Sequence, residues 1–100
     1  MKRTQLLLIK LMEEAAEIQQ AASKSLQFGW WNHHPDRPDT NNMQELSKEC
    51  GDIRGVMEML ADEAAIDWEM MQVAEKEKPA KVEKYLKLSA EIAREAGETE

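Results

Sequence analysis

Cysteine is almost missing from this 100-residue chain: Cys50 is the only one. No internal disulfide can form, and nothing in the residue usage points to an oxidising compartment. Glycine and proline are scarce, at four and three, whereas a sandwich or barrel of short strands needs many more turn residues. Five aromatic residues are few beside seven methionines. The longest apolar run, Leu6 to Ile9, is far shorter than the ~20 residues needed to span a bilayer. Met1-Lys2-Arg3 ahead of that run faintly resembles a secretory leader, but Lys10, Glu13 and Glu14 interrupt the apolar stretch and no small-residue cleavage site follows. Positive charge is in deficit, 13 Lys and Arg against 20 Asp and Glu, for a net charge of −7. Such a surface repels nucleic acid and anionic lipid, which argues against a polymer-binding or membrane-surface role. The expectation is a soluble, cytoplasmic, all-α protein with room for one domain.

What is present is helical periodicity. From Arg3 to about Phe28, apolar residues recur at Leu8, Leu11, Ala15, Ile18, Ala22 and Leu26, spaced by three and four, which predicts one amphipathic helix. Gly29 to Asn41 breaks the pattern with Pro35, Pro38, paired Trp and paired His, and reads as a loop. Asn42, followed three residues later by Glu45, reads as the cap of a second helix. That helix turns Leu46, Cys50, Ile53, Met57, Leu60 and Ala64 inward. Gly51 and Gly55 lie within it, each costing up to about 1 kcal/mol relative to Ala, which suggests close approach by another helix or a ligand. Asp67 reads as the cap of a shorter third helix to about Lys78, and Pro79 as the first turn of a fourth to Ala96. A single helix kinked at Pro79 is the alternative. The predicted fold is therefore an all-α bundle of two long and two shorter helices, one domain over 1–96 with a frayed tail at 97–100. A core this small calls for completion by a second chain.

The chemistry-bearing feature is a pair of acidic clusters, one on each long helix. Glu14 and Glu17 are three apart, as are Glu49 and Asp52, so each pair stacks on one helix face. Packed as antiparallel neighbours, the helices would bring four carboxylates to the edge of the core. Such a group repels itself unless cations sit among it, and hard oxygen ligands suit Mg²⁺ or Mn²⁺ rather than zinc. Any one such spacing is usually a solvated helix face. Two on successive amphipathic helices form a stronger signal.

The strings Leu11-Met12-Glu13-Glu14-Ala15-Ala16-Glu17 and Glu49-Cys50-Gly51-Asp52-Ile53 resemble the signature of the all-α nucleoside triphosphate pyrophosphatase superfamily, the MazG-like group. Ala22 to Gly29 and Lys81 to Leu86 are similar to small phage and bacterial members, so the resemblance extends from Leu8 to Leu86. One departure is the interval between Glu17 and Glu49, 31 residues long and longer than the family's usual spacing because of the Trp- and His-bearing loop.

The resemblance implies hydrolysis of a nucleoside or deoxynucleoside triphosphate to the monophosphate and pyrophosphate, in a homo-dimer or homo-tetramer. It implies Glu14, Glu17, Glu49 and Asp52 as ligands of Mg²⁺, with Mn²⁺ as a substitute. Glu13 and Glu14 are the implied catalytic acids, Glu13 supporting the ligands or orienting a water. No phosphate-binding glycine loop is present, so cations must grip the phosphates. Lys24, two turns beyond Glu17, is the first candidate, and Lys78 and Lys81 are weaker ones. Each also reads as a solvated helix lysine. Trp30, with Trp31, His33 and His34, could stack on a base or pin the loop to the core or a partner, the preferred reading. Two adjacent histidines make neither a zinc site nor a catalytic triad, and Cys50 reads as a small buried thiol. A helical binding or regulatory module without turnover is the alternative function.

Overall fold

The computed structural model describes residues 1–98. Helices α1 (Arg3–Phe28), α2 (Asn42–Asp62) and α3 (Trp68–Glu95) account for its regular structure, and no strand occurs among the described residues. The protein is all-α. None of the helices is long and apolar enough to cross a membrane. The chain forms two compact units, Met1–Ile66 and the segment beginning at Asp67.

The first unit is an antiparallel hairpin of α1 and α2. Its open end is closed by Arg3 Nε donating to Glu63 Oε1 at 2.6 Å. Along α1, Thr4, Leu7, Leu11, Glu14, Ile18, Ala21 and Ser25, alternately three and four apart, are buried or half-buried, and half-buried Lys24 lies beside this row. Leu46, Glu49, Ile53, Val56 and Leu60 form the matching row on α2. This alternation is the seam of two helices packed nearly parallel to each other's axes. It corrects the stripe expected for α1: Leu11 and Ile18 face inward, but Leu8, Ala15, Ala22 and Leu26 are exposed. Apolar residues cover more than one side of α1, so periodicity alone does not identify the packed side. The packed side carries Thr4, Glu14 and Ser25, which a hydrophobic pattern passes over. Cys50, expected to be buried, is exposed. Gly51 and Gly55 also face open space, and a Cβ at either would meet nothing within 4 Å, so close approach does not explain them.

The connection between the helices is ordered by its own hydrogen bonds. Gly29 ends α1 at φ +88°, a conformation that suits glycine. The first amides of α2 are used by the loop: Asn42 N–H donates to Asn32 O at 2.8 Å and Met43 N–H to Trp30 O at 2.9 Å. The helix cap lies one residue before the expected position. Asn41 Oδ1 accepts from Gln44 N–H, and Gln44 Oε1 accepts from Asn41 N–H. Asn42 is instead buried, its Nδ2 donating to Gly29 O at 2.9 Å.

In the second unit, Asp67 caps α3 as expected, its carboxylate accepting from Met70 N–H. Where two helices were expected, α3 runs unbroken through Pro79 for 28 residues. An interior proline removes one helical hydrogen bond, but good helix formers flank it and Glu77 and Lys81 pair across it at 3.9 Å. The helix closes on a Schellman turn, with Glu98 N–H donating to Ala93 O and Gly97 N–H to Arg94 O. The remainder of the expected tail, 99–100, lies outside the described residues. No residue of α3 is buried, and Val82, Leu86 and Ile92 are 39, 53 and 57% exposed.

Candidate metal centre and adjoining cleft

Glu14 and Glu49 occupy seam positions, one on each helix of the hairpin, where most of the other positions are aliphatic. Glu17 stands one turn along α1 at the solvent edge. One carboxylate oxygen from each of Glu14, Glu17 and Glu49 lies within 4.8 Å of the other two. A cation bonding oxygens at roughly 2.0–2.6 Å keeps its ligands no more than about 4–5 Å apart. The three therefore occupy a volume suited to one ion.

The electrostatics oppose this convergence while all three acids are ionised. Partial burial, then the charges of Glu17 and Asp52, push the Glu14 carboxyl above its usual value. The Glu49 carboxyl is also raised, first because its protonated form can donate to the Glu17 carboxylate, then by burial and the Glu17 charge, with Lys48 opposing. Glu14 Oε2 and Glu49 Oε2 are shielded from solvent and meet no hydrogen-bond donor. Shielded acceptors of this kind are costly unless something satisfies them. An all-oxygen donor set with two such atoms fits a hard divalent ion such as Mg²⁺ or Mn²⁺.

The other acids expected here are placed differently. Asp52 is outside the trio, and Lys48 Nζ holds its Oδ2 at 2.8 Å. Its charge still reaches Glu14. Glu13 turns to solvent and pairs with Lys10 at 2.9 Å.

Glu17 and Glu49 also form one wall of a cleft of about 530 Å³ within the hairpin unit. That volume is in the range of small-molecule sites, about 300–1,000 Å³. Lys24, Arg37 and Lys48 line the same cleft, so three cations share it with the acids, Lys48 Nζ lying 4.0 Å from Glu49 Oε1. Lys24 was legible from its spacing to Glu17. Arg37 was not, because the loop fold delivers it, and its Nε donates to Glu45 Oε1 at 3.0 Å; Lys48, although next to Glu49 in the sequence, was not singled out. Thr40 Oγ1 reaches the same oxygen at 3.4 Å. Arg37 in turn holds the Glu45 carboxyl below its ordinary value. Trp30 does not line the cleft; the residue is 58% exposed and its backbone carbonyl anchors α2. Lys78 and Lys81 belong to α3, and both are exposed. Comparison with models of known protein families, with curated proteins and with solved structures finds no match to this chain.

Proposed function

We propose that this chain is a Mg²⁺-dependent pyrophosphohydrolase of the MazG-like type, converting nucleoside or deoxynucleoside triphosphates to monophosphates and pyrophosphate. The observation that carries the reading is the adjacency of the carboxylate trio and a cleft lined by Lys24, Arg37 and Lys48. Glu14, Glu17 and Glu49 hold the cation in this reading, with Asp52 next to them as the fourth acid. A divalent ion bound there would lower the pKa of a water and offset charge on the phosphoryl oxygens. Lys24, Arg37 and Lys48 hold the anionic chain of the substrate, and the seam positions of Glu14 and Glu49 keep bulk water from two of the ligand oxygens. Glu17, at the solvent edge, is the acid best situated to orient an attacking water. Glu13, engaged with Lys10, supports that wall from outside.

The proposed working unit is a homo-oligomer. Leu8, Met12 and Leu26 are 44, 70 and 84% exposed, and α3 buries no residue at all. Neighbouring copies covering these faces would complete the bundle. The test is pyrophosphate release from a panel of NTPs and dNTPs with Mg²⁺ or Mn²⁺. Glu17→Gln and Glu49→Gln are each expected to lower kcat by about 100-fold or more. Activity unchanged by both substitutions would show that the site is misassigned. A chain that releases no pyrophosphate from any triphosphate, yet binds one, would instead be the non-catalytic module.

A further inference from the structure

Beside the charged cleft is a second cavity of about 460 Å³ that no step of the proposed reaction uses. Phe28, His33, His34 and Pro35 line it, together with Asn32 and Asn42. Lys24 lines both cavities. A ligand whose anionic end lies among Lys24, Arg37 and Lys48 can therefore extend past Lys24 toward this second space. The two linings differ in kind: the second has three rings and a proline, and no carboxylate. It suits an uncharged planar heterocycle, because an aromatic face attracts any base by stacking.

The hydrogen bonds of the two histidines set what their rings offer. His33 Nδ1 is 2.9 Å from the His34 carbonyl oxygen. A carbonyl can only accept, so Nδ1 carries the proton and Nε2 of the neutral ring is an acceptor. Asp36 N–H donates to His34 Nδ1 at 3.0 Å, which leaves the proton of that ring on Nε2. Adjacent rings thus present opposite polarity, one acceptor and one donor. A nucleobase edge carries its own donors and acceptors side by side and can answer both. The lining is also preformed. Arg37 N–H closes a turn onto His34 O at 2.9 Å, and Asn42 joins the loop to α2 through both its backbone and its side chain.

We infer that this cavity receives the nucleobase of the substrate, so that base selection resides in residues 28–42. The inference rests on the pyrophosphohydrolase reading for the anionic end, and its test separates the two. Calorimetry on the full chain compares Mg²⁺ with inorganic tripolyphosphate against Mg²⁺ with α,β-imido analogues of the common nucleoside triphosphates. At least one analogue is expected to bind about tenfold or more tightly than tripolyphosphate. Phe28→Leu and His34→Ala remove that gain and leave tripolyphosphate affinity unchanged. The chain has only two histidines, so their ring-proton NMR signals report the site directly. Nucleoside monophosphate shifts both signals, and inorganic phosphate shifts neither. Equal affinity for tripolyphosphate and every analogue overturns the base pocket, as does a base preference that survives both substitutions. Either result leaves the metal and phosphate reading standing. Histidine signals that respond to monophosphate while tripolyphosphate fails to bind support the pocket and sink the hydrolase.

Discussion

Replacing Glu49 by Gln should make the metal-free protein more stable and the Mg²⁺-saturated protein less stable than the parent. Without a cation, the Glu49 carboxylate stands within 4.8 Å of the Glu17 oxygen. Two unit charges at that separation repel by about 1 kcal/mol at the dielectric constant of water. This limit is the appropriate one because Glu17 is exposed and screened. Glutamine keeps the shape and removes the repulsion. The lost pairing with Lys48, 4.0 Å away and itself 70% exposed, contributes little. A gain of about 1 kcal/mol raises Tm by roughly 4–8 °C in a domain of this size. Magnesium acts in the opposite sense. By mass action, an ion at a hundredfold excess over its Kd stabilises the parent by about 2.7 kcal/mol, or roughly 10–20 °C. The variant, short of one ligand, gains only a fraction of that. Helix melting followed by circular dichroism, in EDTA and across a Mg²⁺ series, reads both effects. The order of the two Tm values must invert as Mg²⁺ is added. A variant that melts below the parent in EDTA would show that the acids do not strain the metal-free hairpin. An equal rise in both proteins would show that Glu49 holds no ion.

Much of this architecture was written in local patterns, and the exceptions share a cause. Spacing delimited α1 at Arg3–Phe28 because Gly29 supplies the positive φ that ends it. It failed to identify the packed side of α1, because the seam there includes Thr4, Glu14 and Ser25. The α2 cap was displaced by one residue because Asn41 and Asn42 are each followed three positions later by a side chain that can reciprocate, Gln44 or Glu45. What decides between them is tertiary: Asn42 is taken up by Gly29 O and Glu45 by Arg37. The carboxylate trio was legible because i, i+3 acids on two amphipathic helices meet when those helices pair. Asp52 satisfies the same spacing yet is drawn off by Lys48, one turn earlier on its own helix. Arg37 left no local signal at all, since a dozen loop residues must fold before its guanidinium reaches the cleft.

Three further outcomes test the packing of the hairpin. Arg37 holds the Glu45 carboxyl below its ordinary value, so this pair stabilises the fold at pH above the unfolded carboxylate value of about 4.3. The stabilisation is lost as pH falls through the lowered folded value, and Arg37→Gln should flatten that acid limb in urea midpoints measured across pH. Gly55→Ala should stabilise the fold by up to about 1 kcal/mol, read as a higher urea midpoint, since its Cβ meets open space; a loss of stability would mean that something packs there. The sharpest comparison sets Ser25 against Asn42, two polar residues buried to similar degrees at 4 and 5% exposure. Ser25 Oγ meets no partner, whereas Asn42 Nδ2 donates to the Gly29 carbonyl at 2.9 Å. An unsatisfied buried polar group costs about 1–3 kcal/mol, and a satisfied one contributes about 1. Ser25→Ala should therefore stabilise the hairpin, helped by the better helix propensity of Ala. Asn42→Ala should destabilise it, because the Gly29 carbonyl then loses its donor where α1 ends. Matched urea melts of the two variants must move in opposite directions. If both fall, the Ser25 hydroxyl is satisfied in solution, and partnership with a neighbour does not distinguish these two buried groups.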